Sequence, residues 1–180
     1  MWWSEVPQRR RFLGRLLGLG GLAGGLGGLS GCGFQLRSES ALPFRRLALE
    51  GASVARSSSF GQELRRQLGG RVQIVEAGPQ APLVLAFESV LREKIVGGLT
   101  ASGLVRELVL RLRVRFRLLA PGGQILIDAT DLALVRDMST TESAALAKAR
   151  EEDEIFRSLE RDAVLQIIRR LEAVPPERLA

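Results

Sequence analysis

Two groups of side chains carry most of the chemistry open to this chain. One is Cys32, the sole thiol, set directly behind the run "FLGRLLGLGGLAGGLGGLSG". The other is Arg111, Arg113, Arg115 and Arg117, an arginine at every second position. A thiolate is a nucleophile, but a lone cysteine forms neither an intrachain disulfide nor a thiolate metal cage. The chain has no histidine and no tyrosine, so it lacks the commonest acid/base catalyst, the commonest zinc ligand and a phenol acid. Histidine-based triads and HExxH metalloenzymes are thereby excluded, and no motif marks a carboxylate dyad. No catalytic residue, metal or cofactor is expected. The remaining chemistry is that of binding.

The arginine ladder has two readings. Alternate strand positions share a face, about 7 Å apart along the strand. That face is either solvated and neutralised by Asp128 and Asp131 of a partner strand, or a surface for a polyanion, whose phosphates suit the arginine fork. The acidic run Glu151-Glu152-Asp153-Glu154 mimics a cation site but reads better as a solvated face near the start of a helix, where negative charge suits the dipole.

What precedes Cys32 looks like an export signal. "MWWSEVPQRRR" is a basic opening segment, followed by an apolar, glycine-crowded stretch that Arg15 interrupts. A membrane span wants about 20 continuous apolar residues, and a cleaved signal fits better. The order Arg9-Arg10-x-Phe12-Leu13 resembles a twin-arginine signal, and an ordinary secretory signal remains the alternative. "GLGGLA", Gly18 to Ala23, matches a dinucleotide-binding pattern but lacks the preceding strand that motif requires. Leu29-Ser30-Gly31-Cys32 resembles a lipobox, in which small residues precede a cysteine that is acylated and becomes the first residue of the mature chain. Two or more acyl chains anchor a protein stably to a bilayer. Gly33 follows the cysteine, where an aspartate would resemble an inner-membrane retention signal, so sorting to the outer membrane is expected.

The leader also changes the charge argument. Of 26 basic and 20 acidic residues, residues 1–31 carry four and one, leaving 22 and 19 in a mature chain of net charge +3. The sequence pI near 11.0 therefore overstates the case for a nucleic-acid partner, and none is expected.

The elements that must position these residues follow from periodicity. Residues 32–43 read as a lipidated tether, 44–174 as one domain and 175–180 as a short tail. "RRLALEG" is a strand ended by glycine. "SSSFGQELRRQLGG" is a helix, with Ser59 and Gln62 at capping-box spacing, Phe60, Leu64 and Leu68 on one face, and Gly69-Gly70 as a stop. "RVQIVEAG" is compatible with a short strand, and "LVLAFESVLREKIV" is a longer one, closed by turn chemistry in "GGLTASG". Leu110, Leu112, Val114, Phe116 and Leu118 alternate with the arginines, which predicts a strand with one face on a core. Pro121-Gly122-Gly123 turns it into an antiparallel partner. From Ser139 the period becomes helical. Ser139 and Glu142 offer another capping box, Phe156, Leu159, Ala163, Ile167 and Leu171 form one stripe, and Pro175-Pro176 forbids continuation. The expected fold is an α+β two-layer sandwich: a four-stranded, largely antiparallel sheet with two helices packed on one face.

These segments together resemble a known family. "GCGFQLR" at the lipidation site, the basic hairpin "VRELVLRLRVRFRLLAPGG" and "AALAKAREEDEIFRSLERDAVLQIIRRL" are similar to the lipopolysaccharide-assembly lipoproteins of the LptE family. The resemblance implies a lipid-anchored, non-enzymatic protein on the periplasmic side of the outer membrane. It implies that the domain plugs the lumen of the LptD β-barrel and that the pair delivers lipopolysaccharide to the outer leaflet. It further implies that Lys148, in "ALAK", matches a basic residue that contacts lipopolysaccharide. A second basic contact of the family falls at Ala101 here, which leaves Arg106 or Lys94 to take its role. A charged outer sheet face, including the arginine ladder, would suit a polar barrel lumen. The alternative is an accessory lipoprotein of another envelope transport machine, acting through protein contacts alone.

Overall fold

A computed structural model describes residues 41–78, 81–140 and 145–179. Cys32, the leader and Glu142 lie outside these residues. Strand β1 (Arg46–Glu50) leads through a single 3₁₀ turn (Ala52–Val54) to helix α1 (Ser59–Leu68), then to β2 (Gln73–Val75). Three long strands follow, β3 (Val84–Leu99), β4 (Val105–Leu119) and β5 (Ile125–Ser139), and then helix α2 (Ala145–Glu172).

The sheet has five strands in the order β2-β1-β3-β4-β5, which corrects the expected four. The added strand is "QIV" within "RVQIVEAG". It pairs in parallel with β1, Arg46 opposite Gln73 and Ala48 opposite Val75. β1 is also parallel to β3, while β3, β4 and β5 form an antiparallel meander, so the sheet is mixed. Three paired residues are too few to show a period of two, which is why the sequence leaves β2 uncertain. Helix α1 is the crossover that a parallel β1–β2 pair requires.

Local chemistry accounts for the boundaries, with two corrections. Ser58, not Ser59, caps α1: its Oγ accepts a hydrogen bond from the Gly61 amide at 2.9 Å, while the Gln62 amide group donates to the Arg56 carbonyl. The glycines of "GGLTASG" do not all belong to the turn, since Gly97 and Gly98 continue β3 opposite β4 through two register shifts. A β-carbon on Gly97 would lie 2.9 Å from a Val109 methyl, so the glycine serves close strand approach at a bulge. Ser139 ends β5 and does not cap α2.

Both helices pack on the face of the sheet that carries Phe87 and Phe116. Phe60 of α1 meets Phe87 edge-on, with ring centroids 5.6 Å apart, and Phe87 lies 6.1 Å from Phe116. The Arg170 guanidinium of α2 stands over the Phe116 ring. The apolar stripes behave as their spacing requires: Phe60, Leu64 and Leu68 of α1, Phe156, Leu159, Ala163, Ile167 and Leu171 of α2, and Leu110 to Leu118 of β4 are all buried. Leu42 and Phe44 join the same core. Among the described residues no helix is long and apolar enough to cross a membrane.

The two helices differ in reach. At 1.5 Å per residue, α1 is about 15 Å long and α2 about 42 Å, against roughly 50 Å for each long strand. Helix α1 therefore covers β3 only near its start. Beyond that, the helix-facing positions of β3 change from Phe87 and Val90 to Arg92, which reaches the flank of α2 and the Ser59 hydroxyl at the start of α1, and then to Lys94, which meets α2. The charged seam this creates carries the candidate site.

Candidate functional site: a basic and apolar sheet end

The far end of the sheet is the turn between β3 and β4 together with the end of β5 and the start of α2. The Thr140 amide donates to the Arg106 carbonyl at 2.9 Å, and the Lys148 Nζ donates to the Ser139 carbonyl at 2.6 Å. Arg106 and Lys148 are thus held against adjacent residues of one segment. Lys94, opposite Leu110 on β3, lies a few residues further in, 2.5 Å from Glu152 of α2. Lys148 also pairs with Glu151 at 2.8 Å. The Arg106 side chain has no hydrogen bond or ion pair among the described residues. The structure therefore gathers the three expected basic residues at one end. Ala101 sits exposed in the β3–β4 turn.

Around these cations lies apolar surface. Val96, Leu99, Leu104 and Val105 at the hairpin end and Leu146 near the start of α2 are all exposed. Cationic side chains and uncovered leucine and valine at one sheet end give it amphiphilic character, and exposed apolar patches of this kind mark interaction sites.

Arg92 is a residue that the sequence reading missed. Its guanidinium reaches Glu160 through Nε at 3.1 Å and Nη2 at 2.8 Å, and it lies 3.5 Å from Asp153 and over the Phe156 ring. The Ser59 hydroxyl also donates to Glu160 at 3.1 Å. A cleft of about 470 Å³ between β3 and α2 is lined by Arg92, Lys94, Ala149, Glu152, Asp153 and Phe156. Alternation along β3 does not reveal it, because Arg92 is out of step with the buried Leu85 and Phe87; the register shift between Phe87 and Ser89 is what brings Val90, Arg92 and Lys94 opposite the core-facing Val114, Leu112 and Leu110.

The arginine ladder faces away from the helices and is paired. Glu93, directly opposite Arg111, lies 3.5 Å from Arg111 and 3.4 Å from Arg113. Glu88, the additional residue in the register shift between Phe87 and Ser89, lies 2.8 Å from Arg115 and 4.0 Å from Arg117. Asp131 contributes a 3.7 Å contact to Arg115, as expected; Asp128 joins no ion pair among the described residues. Neutralisation thus comes mainly from β3, where Glu93 and Glu88 each serve two arginines, Glu93 from a regular position and Glu88 from the bulge.

Arg65 of α1 differs from these exposed pairs. Its Nη2 donates to the Val54 carbonyl at 3.2 Å, while its Nε and Nη1 are buried without a partner. Burial, and then the nearby charge of Arg56, pull its pKa below the ordinary arginine value.

A mixed five-stranded sheet with two helices on one face and a basic, apolar far end defines a small α+β binding domain. The family model for lipopolysaccharide assembly, LptE, matches residues 44–171. The chain belongs to the LptE family of lipopolysaccharide-assembly lipoproteins. A lipoprotein B of Nitrosomonas europaea is similar at 30% identity, covering 78% of this chain and 91% of that one, with a TM-score of 0.64. The rare lipoprotein B of Shewanella oneidensis (23% identity, 71% and 93% coverage, TM-score 0.61) and a minor lipoprotein of Acinetobacter baumannii (21%, 72% and 92%, TM-score 0.58) share the fold. No match was found among the curated proteins.

Proposed function

We propose that the protein is an outer-membrane lipoprotein, anchored by acylation of Cys32, that plugs and stabilises the LptD β-barrel and binds lipopolysaccharide during delivery to the outer leaflet. One observation carries the ligand-binding part: Lys148, Arg106 and Lys94 belong to the same end of the sheet as exposed Leu99, Leu104, Val105 and Leu146. A phosphorylated glycolipid offers both of the groups that such a surface recognises, phosphates for the cations and acyl chains for the leucines. The hairpin end of the site stands about 50 Å, and Lys94 about 33 Å, along β3 from its start beside β1. That separation suits a domain that is tethered at one end and meets its ligand at the other. The charged outer face of the sheet, with its paired arginine ladder, suits a polar barrel lumen.

The test is binding of the purified full chain to lipopolysaccharide, with affinity purification of the lipidated protein from outer membranes beside it. Lys148→Glu is expected to weaken binding at least ten-fold while Lys148→Arg retains it. Unchanged affinity in Lys148→Glu removes that residue from the site. No binding by the unaltered chain, together with recovery of a barrel, leaves an accessory role through protein contacts alone.

A further inference from the structure

Consecutive residues of the acidic run meet the basic residues of the site. Glu151 lies 2.8 Å from Lys148, Glu152 lies 2.5 Å from Lys94, and Asp153 lies 3.5 Å from Arg92. The run is therefore no idle solvated face. It places carboxylates on three cations in the positions that ligand phosphates would take, two of them along the cleft of about 470 Å³ between β3 and α2.

We infer that Glu151 and Glu152, with Asp153 beside them, are an internal substitute for the phosphates of the ligand, and that an anionic ligand binds by exchange with them. The inference rests on the proposed ligand-binding reading and adds two things to it: Arg92 joins the site, and the unliganded state is self-occupied. The energetics permit exchange. Each pair has at least one partner exposed over more than a third of its side chain, and exposed pairs of this kind are weak and open to competition. A phosphate brings more charge and more acceptor oxygens than the carboxylate it replaces. Self-occupation also gives Lys94 and Lys148 a counter-charge when no ligand is bound, while Arg92 is held by Glu160 in either state.

Glu154 supplies the control. It belongs to the same run and is exposed, but it makes no ion pair among the described residues. The experiment measures binding of purified lipopolysaccharide, and of the same material with its phosphates removed, to the full chain in detergent. The variants are Glu151→Gln/Glu152→Gln, Glu154→Gln and Lys148→Glu. Exchange predicts that the double variant tightens binding about two- to five-fold per carboxylate removed, and that Glu154→Gln changes it by less than two-fold. Dephosphorylated ligand should show no gain. Equal tightening by Glu154→Gln, or weakening by the double variant, overturns the exchange mechanism. If the unaltered chain binds, loses binding in Lys148→Glu and shows no gain in the double variant, exchange fails while the ligand site stands. If no variant binds, or Lys148→Glu binds as the unaltered chain does, the ligand site falls and exchange with it. Circular dichroism of each variant confirms that α2 is retained.

Discussion

The Arg92–Glu160 pair yields an asymmetric prediction. Glu160 is only 3% exposed, and its carboxylate accepts from Arg92 Nε and Nη2 and from Ser59. Arg92 has a third of its side chain in solvent, and its remaining neighbours are the Ser59 hydroxyl, to which Nη2 donates at 2.9 Å, Asp153 and the Phe156 ring. Arg92→Met therefore leaves a buried carboxylate with one hydroxyl donor, a defect of about 3 kcal/mol. Glu160→Met leaves a guanidinium that still has water, the Ser59 hydroxyl, a carboxylate and an aromatic face, and the cost should be about 1 kcal/mol. The double variant replaces a buried ion pair by apolar groups, and should recover most of the loss, ending within about 1 kcal/mol of the unaltered chain. Urea unfolding of all four proteins closes the cycle, with stabilities compared by linear extrapolation. Equal losses in the two single variants, or a double variant as poor as their sum, would refute the claim that burial of Glu160 sets the asymmetry.

Three further outcomes follow from the same geometry. Gly51 has φ of 119°, and a β-carbon there would run into the Phe87 carbonyl oxygen, so Gly51→Ala should cost about 2 kcal/mol or more, read as a fall in thermal midpoint. Glu93→Gln strips the counter-charge from Arg111 and Arg113 together. It should cost about 1 kcal/mol in low salt and almost nothing at 1 M salt, where screening acts over about 3 Å; a loss independent of salt would contradict the ion-pair account. Arg65→Met removes two unpartnered buried donors at the expense of one bond to Val54, and should be neutral or stabilising by about 1 kcal/mol. Its lowered pKa means that the charged form is disfavoured by folding. That penalty persists at every pH where the guanidinium stays protonated and disappears only in strong alkali, so the gain in Arg65→Met should be flat between pH 5 and 9.

The residues that period alone could place were placed correctly. Strict alternation from Leu110 to Leu118 fixed β4 and its buried face, and the four-residue spacing in Phe60, Leu64 and Leu68 fixed α1. What escaped was information held between elements. β2 pairs through three residues, and its existence depends on the edge that β1 offers. Ser58 outcompetes Ser59 as the cap because the 3₁₀ turn before it sets where the helix begins. Sequence points to β5 for the ladder's counter-charges, because the hairpin turn is visible there. Register instead puts Glu93 opposite Arg111, and a bulge that no sequence signal announces points Glu88 at Arg115 and Arg117. Of the site, Lys148, Lys94 and Arg106 were named from resemblance, whereas their convergence is a property of the sheet.

The unequal helices give the charged seam its cause. Where α1 and α2 both lie on the sheet, the space between them is filled by Phe60, Phe87, Phe116, Ile167 and Leu171, and large apolar side chains exclude water. Past the N-terminus of α1 only α2 remains, and one helix cannot shield both β3 and β5. An apolar β3 there would expose its helix-facing side to solvent on the flank that α1 leaves open. Arg92 and Lys94 meet that condition by delivering charge to the edge of α2, as long cationic side chains with apolar stems can. Helix α2 is thus held by burial near Ile167 and Leu171, and along this flank by ion pairs near Glu152 and Asp153. Apolar contacts of the first kind have no substitute that a soluble or amphiphilic anion can supply. Ion pairs of the second kind do, which confines any ligand-driven rearrangement of this fold to the end where the basic residues and the uncovered leucines meet.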